Sequence, residues 1–156
     1  MHIFIFTIIL LLNVVNASIS LISPIWGQND FKNIIIDELS KTNHSITATI
    51  YKLNDNDIIN TLETCGRNNI FLNLICDKSV FDTCNKFSKY GTINSFKMNP
   101  FTKLHAKSIL IDNSTLIIGS FNLDNSAFNE NIEIGAIIKD KEAIQEYNNF
   151  ITKFKE

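Results

Sequence analysis

Two short aliphatic runs, Ser108 to Ile111 and Thr115 to Ile118, flank the turn-forming residues Asp112-Asn113-Ser114. β-branched side chains suit a pleated strand and Asp, Asn and Ser suit a corner, so the stretch predicts a β-hairpin. With Asn113-Ser114 as the loop, antiparallel pairing sets Asp112 against Thr115, Ile109 against Ile118, Lys107 against Ser120 and His105 against Asn122. A one-residue bulge would shift that register. Directly opposed residues share a face, and so do His105 and Lys107, two apart on one strand. The hairpin therefore gathers an imidazole, an ammonium, a hydroxyl and an amide at its open end.

Such a patch suits a phosphodiester. Lysine, serine and asparagine donate hydrogen bonds to non-bridging oxygens, while histidine attacks phosphorus or protonates the leaving oxygen. The arrangement requires no metal and no cofactor. Taken singly, each residue also has an ordinary reading: a lone His or Lys at a strand end is an exposed, hydrogen-bonded side chain, and Gly-Ser is a turn. Asp112 has the strongest structural reading, because a corner carboxylate accepts hydrogen bonds from its own turn.

The spacing adds what single residues lack. His105-Ala106-Lys107, four residues, Asp112, six residues, then Gly119-Ser120-Phe121-Asn122 resembles the signature of the phospholipase D superfamily, complete and with both gaps of the family's length. The resemblance runs from about Ser23 onward and is similar to the small single-motif endonuclease branch, with a strand ending near Tyr51 and another ending at Asp77. It implies catalytic roles for His105, Lys107, Asp112, Ser120 and Asn122. It further implies that Asn131-Ile132-Glu133 supplies a carboxylate, Glu133, which accepts a hydrogen bond from His105 and fixes its tautomer. The alternative for Glu133 is an exposed strand charge. Larger relatives use two facing motifs, one histidine forming a phosphohistidine and the other protonating the leaving group, whereas this chain has one. His2 and His44 have no Lys two residues on. The resemblance thus implies a two-fold homodimer that brings His105 to its symmetry mate, with a bell-shaped pH–rate profile from the coupled pair.

Elsewhere the chain alternates strands and helices. A helix from Asn29 or Asp30 carries Phe31, Ile34, Ile35 and Leu39 on one face, and Ser45 to Leu53 is a strand. Asp55 or Asn56 opens a helix with Ile58, Leu62 and Cys65 aligned, closed near Gly66. Ile70 to Cys76 is a buried strand. A third helix follows Asp77 to Ser79, presents Val80, Phe81, Cys84 and Phe87, and stops at Gly91. Strands at Thr92 to Met98 and Ile132 to Ile138 bracket the hairpin, and a last helix capped by Asp140 presents Ile144, Tyr147, Ile151 and Phe154. The expected fold is a single α/β domain, a mixed β-sheet flanked by helices on both faces. A chain of 156 residues with 45% hydrophobic content has room for one such core.

Residues Ile3 to Leu12 are apolar, Val15-Asn16-Ala17 offers small residues, and no formally charged side chain appears before Asp30. This pattern predicts a signal peptide over 1–17 and a catalytic domain over 18–156, in a secreted or periplasmic protein. The alternative is an uncleaved membrane anchor reaching about Ile22. Cys65, Cys76 and Cys84 match no zinc spacing; buried apolar packing is the preferred reading, with a disulfide between two of them as the alternative. Trp26 and Phe31 are read as core rather than as membrane or base contacts.

A net charge of -2 and a pI near 5.9 exclude a protein that coats nucleic acid nonspecifically. Lys86, Lys89, Lys97, Lys103 and Lys107 form either a local phosphate-contacting strip or a solvated face. The leading functional expectation is a metal-independent endonuclease acting on DNA or RNA. A phospholipase D releasing head groups at a membrane is the alternative, and a phosphate-binding module without catalysis is a third reading.

Overall fold

A computed structural model describes residues 18–22, 30–96 and 101–154. The expected signal segment 1–17, Trp26, the loop around Gly27, Lys97 and Met98 lie outside the described residues. Seven strands form one mixed sheet: β1 (Ile19–Ile22), β2 (Ser45–Ile50), β3 (Phe71–Cys76), β4 (Gly91–Ser95), β5 (Ser108–Ile111), β6 (Thr115–Gly119) and β7 (Gly135–Ile138), in the order β1-β7-β6-β5-β2-β3-β4. β2, β3 and β4 are parallel, which requires crossovers; α2 (Asn56–Arg67) and α3 (Phe81–Asn85) provide them. β5, β6, β7 and β1 are antiparallel, so a tight hairpin suffices for the first pair.

Helices cover both faces, as the sequence predicts. On one side α1 (Asp30–Ser40) buries Phe31, Ile35 and Leu39, and α2 buries Ile58, Leu62 and Cys65, against Ile46, Ile50, Leu72, Leu74, Ile109 and Ile117. On the other, α5 (Lys141–Thr152) buries Ile144, Tyr147 and Ile151 against Ile75, Leu110 and Leu116. Each fully buried aliphatic contributes about 1.5–3 kcal/mol relative to exposure. Asp55 caps α2 and Asp140 caps α5, their carboxylates accepting backbone N–H groups of the first turn.

Several boundaries differ from the sequence reading for identifiable reasons. α2 closes near Gly66, at Arg67, but the glycine is not the stop itself. Asn69 takes the left-handed turn (φ 65°), and Gly66 sits inside the helix, where a Cβ would collide with the Tyr90 ring. Gly91 starts β4 rather than stopping α3, which is five residues long and followed by a 3₁₀ turn at Ser88–Tyr90. β1 and the short α4 (Asn125–Asn129) lack a periodic pattern of their own and were not anticipated; β1 pairs antiparallel with β7. The preferred cysteine reading is corrected in part: all three are buried, but Cys76 and Cys84 form a disulfide joining β3 to α3, leaving Cys65 free.

The hairpin register also shifts by one. Ile111 pairs with Thr115 and Ser108 with Ile118, because Asp112, Asn113 and Ser114 are all loop. Asp112 and Asn113 adopt positive φ values of 50° and 53°, which Asp and Asn tolerate better than most residues. The Asp112 carboxylate is drawn sideways to the entry of β2, accepting from the N–H groups of Asn43 (2.8 Å), His44 (2.8 Å) and Ser45 (2.9 Å). It braces a neighbouring loop rather than its own turn.

Candidate active site

β5 begins at Ser108, β6 ends at Gly119 and β2 ends at Ile50, so the residues just outside these strands meet at one edge of the sheet. With the shifted register, Lys107 lies opposite Gly119, whose N–H points to the Lys107 carbonyl at 3.4 Å, and not opposite Ser120. A side chain at Gly119 would strike the Ile134 carbonyl and the Phe121 ring, so the crossing of β6 and β7 accepts only glycine there.

Two groups of contacts organise the edge. Lys107 Nζ lies 2.9 Å from His105 Nδ1 and donates to the His105 carbonyl at 2.7 Å. An ammonium has no acceptor, so Nδ1 accepts and the neutral ring carries its proton on Nε2. On the facing segment, the Ser120 hydroxyl donates to Glu133 Oε2, and Asn131 donates to Oε1 at 3.1 Å. Glu133 is buried, unlike an exposed strand charge, and its carboxylate accepts from Ser120 and Asn131. Burial pushes the Lys107 ammonium below its ordinary pKa; the nearby Glu133 carboxylate opposes this and the Lys52 charge adds to it. Asn122 Oδ1 is buried without a hydrogen-bond partner among the described residues, an acceptor still open at the site.

Tyr51 lies between the groups. Its ring is 4.6 Å from the His105 ring at 61°, and Lys107 Nζ is 5.0 Å from its centroid. Behind the site, Ser108 Oγ bridges Thr49 Oγ1 (2.5 Å) and Tyr147 OH (2.7 Å). Burial raises the Tyr147 phenol to about 12, against the Ser108 hydrogen bond, so this chain stays neutral and ties β5 to β2 and α5. Asp77, at the end of β3, accepts from the Leu104 N–H at 2.9 Å and so anchors the residue before His105. Burial pushes its carboxyl up, but hydrogen bonds from the Ser79 hydroxyl, Ser79 N–H and Leu104 N–H outweigh this and hold it below the usual range.

The structure thus brings His105, Lys107, Ser120, Asn122 and Glu133 to one edge and leaves Asp112 at the opposite end of the hairpin. Of the lysines in the strip, Lys89 pairs with Glu63 (3.0 Å) beside Tyr90 at the start of β4, away from Asp77. Lys86, Lys103 and His44 are exposed. Sequence reasoning missed the contacts of Tyr51 and the proximity of Lys52, since neither belongs to the hairpin; the one available signal was their place at the end of a strand. Among the described residues, no group of three or more His, Cys, Asp or Glu side chains is placed to hold a metal ion. No described helix is long and apolar enough to cross a membrane.

Similar proteins bear on this edge. The fold is similar to NucT from Helicobacter pylori (22% identity, TM-score 0.77, covering 88% of this chain and 95% of that one). It is likewise similar to Nuc from Salmonella typhimurium, a phospholipase D family member (16% identity, TM-score 0.75, covering 88% and 93%). Phosphatidylserine synthase from Haemophilus influenzae Rd KW20 shares the fold at 15% identity and TM-score 0.76, but this chain spans only 39% of its length. No curated protein matches the sequence. A family model described as "Cardiolipin synthase, PLD-like domain" matches residues 35–154, a span that includes every residue of the edge described above. That match supports a phosphodiesterase-type enzyme, and by it the chain belongs to the phospholipase D-like family.

Proposed function

We propose that the chain is a metal-independent endonuclease that cleaves DNA or RNA through a phosphohistidine at His105. The observation that carries this reading is the 2.9 Å contact of Lys107 Nζ with His105 Nδ1 at an open edge beside Ser120 and Asn122. A non-bridging phosphate oxygen competes for the Lys107 ammonium. Once Lys107 turns to the phosphate, the ring proton moves to Nδ1 and the Nε2 lone pair attacks phosphorus. The P–N bond forms as the P–O bond breaks, and the leaving oxygen takes a proton from a second imidazolium. Water then attacks the phosphohistidine, giving one of its own protons to the second ring as the P–N bond breaks and His105 is released.

The second imidazole comes from another copy of the chain, in a two-fold dimer. The open acceptor of Asn122 and the single motif support this reading, as does the near-complete overlap with NucT and Nuc, chains of similar extent. The coupled histidines give a bell-shaped pH–rate profile. The mature chain starts at Ser18 and works in a secreted or periplasmic setting, a reading that the Cys76–Cys84 disulfide supports. Asp112 serves the reaction only by holding the hairpin.

A second reading, a phospholipase D at a membrane, is favoured by the apolar side chains near the edge. Ile132 (81% exposed) and Ile134 (57%) flank Glu133, and Phe101 (92%) precedes His105 by four residues. The test is to incubate residues 18–156 in EDTA with supercoiled plasmid and, separately, with phosphatidylcholine vesicles, with His105→Ala as control. Nicking that survives EDTA and disappears in the variant supports the nuclease. Head-group release with intact plasmid replaces it with the lipid enzyme, and full activity in a monomer removes the dimer mechanism.

A further inference from the structure

Lys52 lies outside the motif and next to its reacting groups. The residue before it, Tyr51, touches both His105 and Lys107. The Lys52 carbonyl accepts from the Leu123 N–H at 3.2 Å, one residue beyond Asn122, and Leu53 forms a parallel bridge with Leu123. Segment 52–54 therefore runs beside segment 121–124 and fixes where the Lys52 side chain emerges. That side chain is 55% exposed. Its acidic neighbour is Asp124 Oδ2 at 3.8 Å, a long contact, and Asp124 is engaged through Oδ1 in capping α4 by accepting from Ala127 N–H and the Ser126 hydroxyl. A loosely held cation thus follows directly on Tyr51, whose ring Lys107 touches.

Resting on the nuclease reading above, we propose that Lys52 is a second phosphate contact, binding the phosphate adjacent to the one at His105 along a nucleic-acid strand, with Tyr51 walling the nucleoside between them. Lys107 already serves the reacting phosphate. A second cation displaced from it has a use when the substrate repeats its phosphates, and none when the substrate carries a single phosphodiester, as phosphatidylcholine does. The charge also accounts for part of the strain on Lys107, whose lowered pKa burial begins and Lys52 deepens; a bound strand phosphate would screen that repulsion.

Binding of a fluorescent single-stranded DNA oligonucleotide, followed by anisotropy over a range of salt concentrations in the His105→Ala background, separates this proposal from the catalytic one. Adding Lys52→Gln is expected to weaken binding several-fold and make the slope of log K against log salt shallower by about 0.7, the share of one phosphate on a single strand, with Lys52→Arg restoring it. In the active enzyme, Lys52→Gln lowers the ratio of kcat/KM on the oligonucleotide to that on bis(p-nitrophenyl) phosphate. An unchanged salt slope overturns the proposal, as does a His105→Ala protein that does not bind the oligonucleotide. A lowered Tm with equal losses on both substrates makes Lys52 only a counter-ion of Asp124 and also overturns it. Binding with the expected slope in a protein that cleaves no nucleic acid upholds the Lys52 contact and defeats the nuclease reading.

Discussion

The two ends of the β5–β6 hairpin carry residues of one motif and have opposite character. At the closed end the Asp112 carboxylate accepts from three backbone N–H groups. Burial pushes its pKa up, but the hydrogen bonds from Ser45, Asn43 and His44 outweigh this and hold it below the ordinary value. At the open end Lys107 is partly desolvated without a direct carboxylate partner among its hydrogen bonds, and Asn122 Oδ1 has no partner among the described residues. One end is satisfied by backbone donors; the other, among the described residues, keeps one buried acceptor without a partner and a desolvated ammonium held by a neighbouring imidazole and carbonyl. Fixed spacing in a motif therefore does not imply a shared site, since four residues of strand carry Asp112 to the far side of the sheet from Lys107.

The comparison predicts that activity and stability separate along the hairpin. His105→Ala should reduce phosphodiesterase activity at least about a thousandfold, equivalent to about 4 kcal/mol of barrier, with no loss of Tm. Lys107→Met should be similarly damaging to activity yet leave the protein as stable or more so. The sign follows from the lowered pKa: at neutral pH the folded state bears the cost of a charged, partly buried lysine, a cost that disappears only as pH rises from the folded value towards 10.5. A large drop in Tm in either variant would break the contrast.

Asp112→Ala should cost about 2–3 kcal/mol, from lost hydrogen bonds and from a left-handed backbone that alanine dislikes, while the folded fraction keeps most of its activity. Asp112→Asn keeps the backbone preference and should be milder. Asp112 and Asp77 are both depressed, so their stabilisation is complete above the unfolded carboxyl range and is lost as pH falls through their lower folded values. Chemical denaturation below pH 4 should therefore show a flatter acid limb in Asp112→Asn; an unchanged limb removes the bracing role. Smaller still, Cys84→Ser opens a disulfide that spans eight positions and should cost about 2 kcal/mol in urea titrations. If that variant also lost catalytic rate while folded, the chain from the disulfide through Asp77 to Leu104 would be shown to steer His105.

Much of the fold is legible because its signals are local. The helix faces of Phe31, Ile35 and Leu39 and of Ile144, Tyr147 and Ile151 read directly as periodicity, and Asp55 and Asp140 act at their own helix ends. The motif residues are legible for the same reason, since each lies on one continuous stretch. What depended on tertiary structure involves residues far apart in sequence. The register of β5 against β6 moved by one because Asp112 found donors on a loop 67 to 69 positions away, a competition that the hairpin sequence does not contain. α2 does close near Gly66, at Arg67, but Gly66 itself is needed where Tyr90 packs on it from another element. Glu133 meets Ser120, and Tyr51 and Lys52 reach the motif, only because β7 and β2 flank the hairpin in the sheet. By itself the sequence determined which chemical groups the edge holds and that a hairpin carries them. Tertiary structure decided which groups touch, because side-chain contact depends on sheet order and register, and these are set by the free energy of the whole packed core.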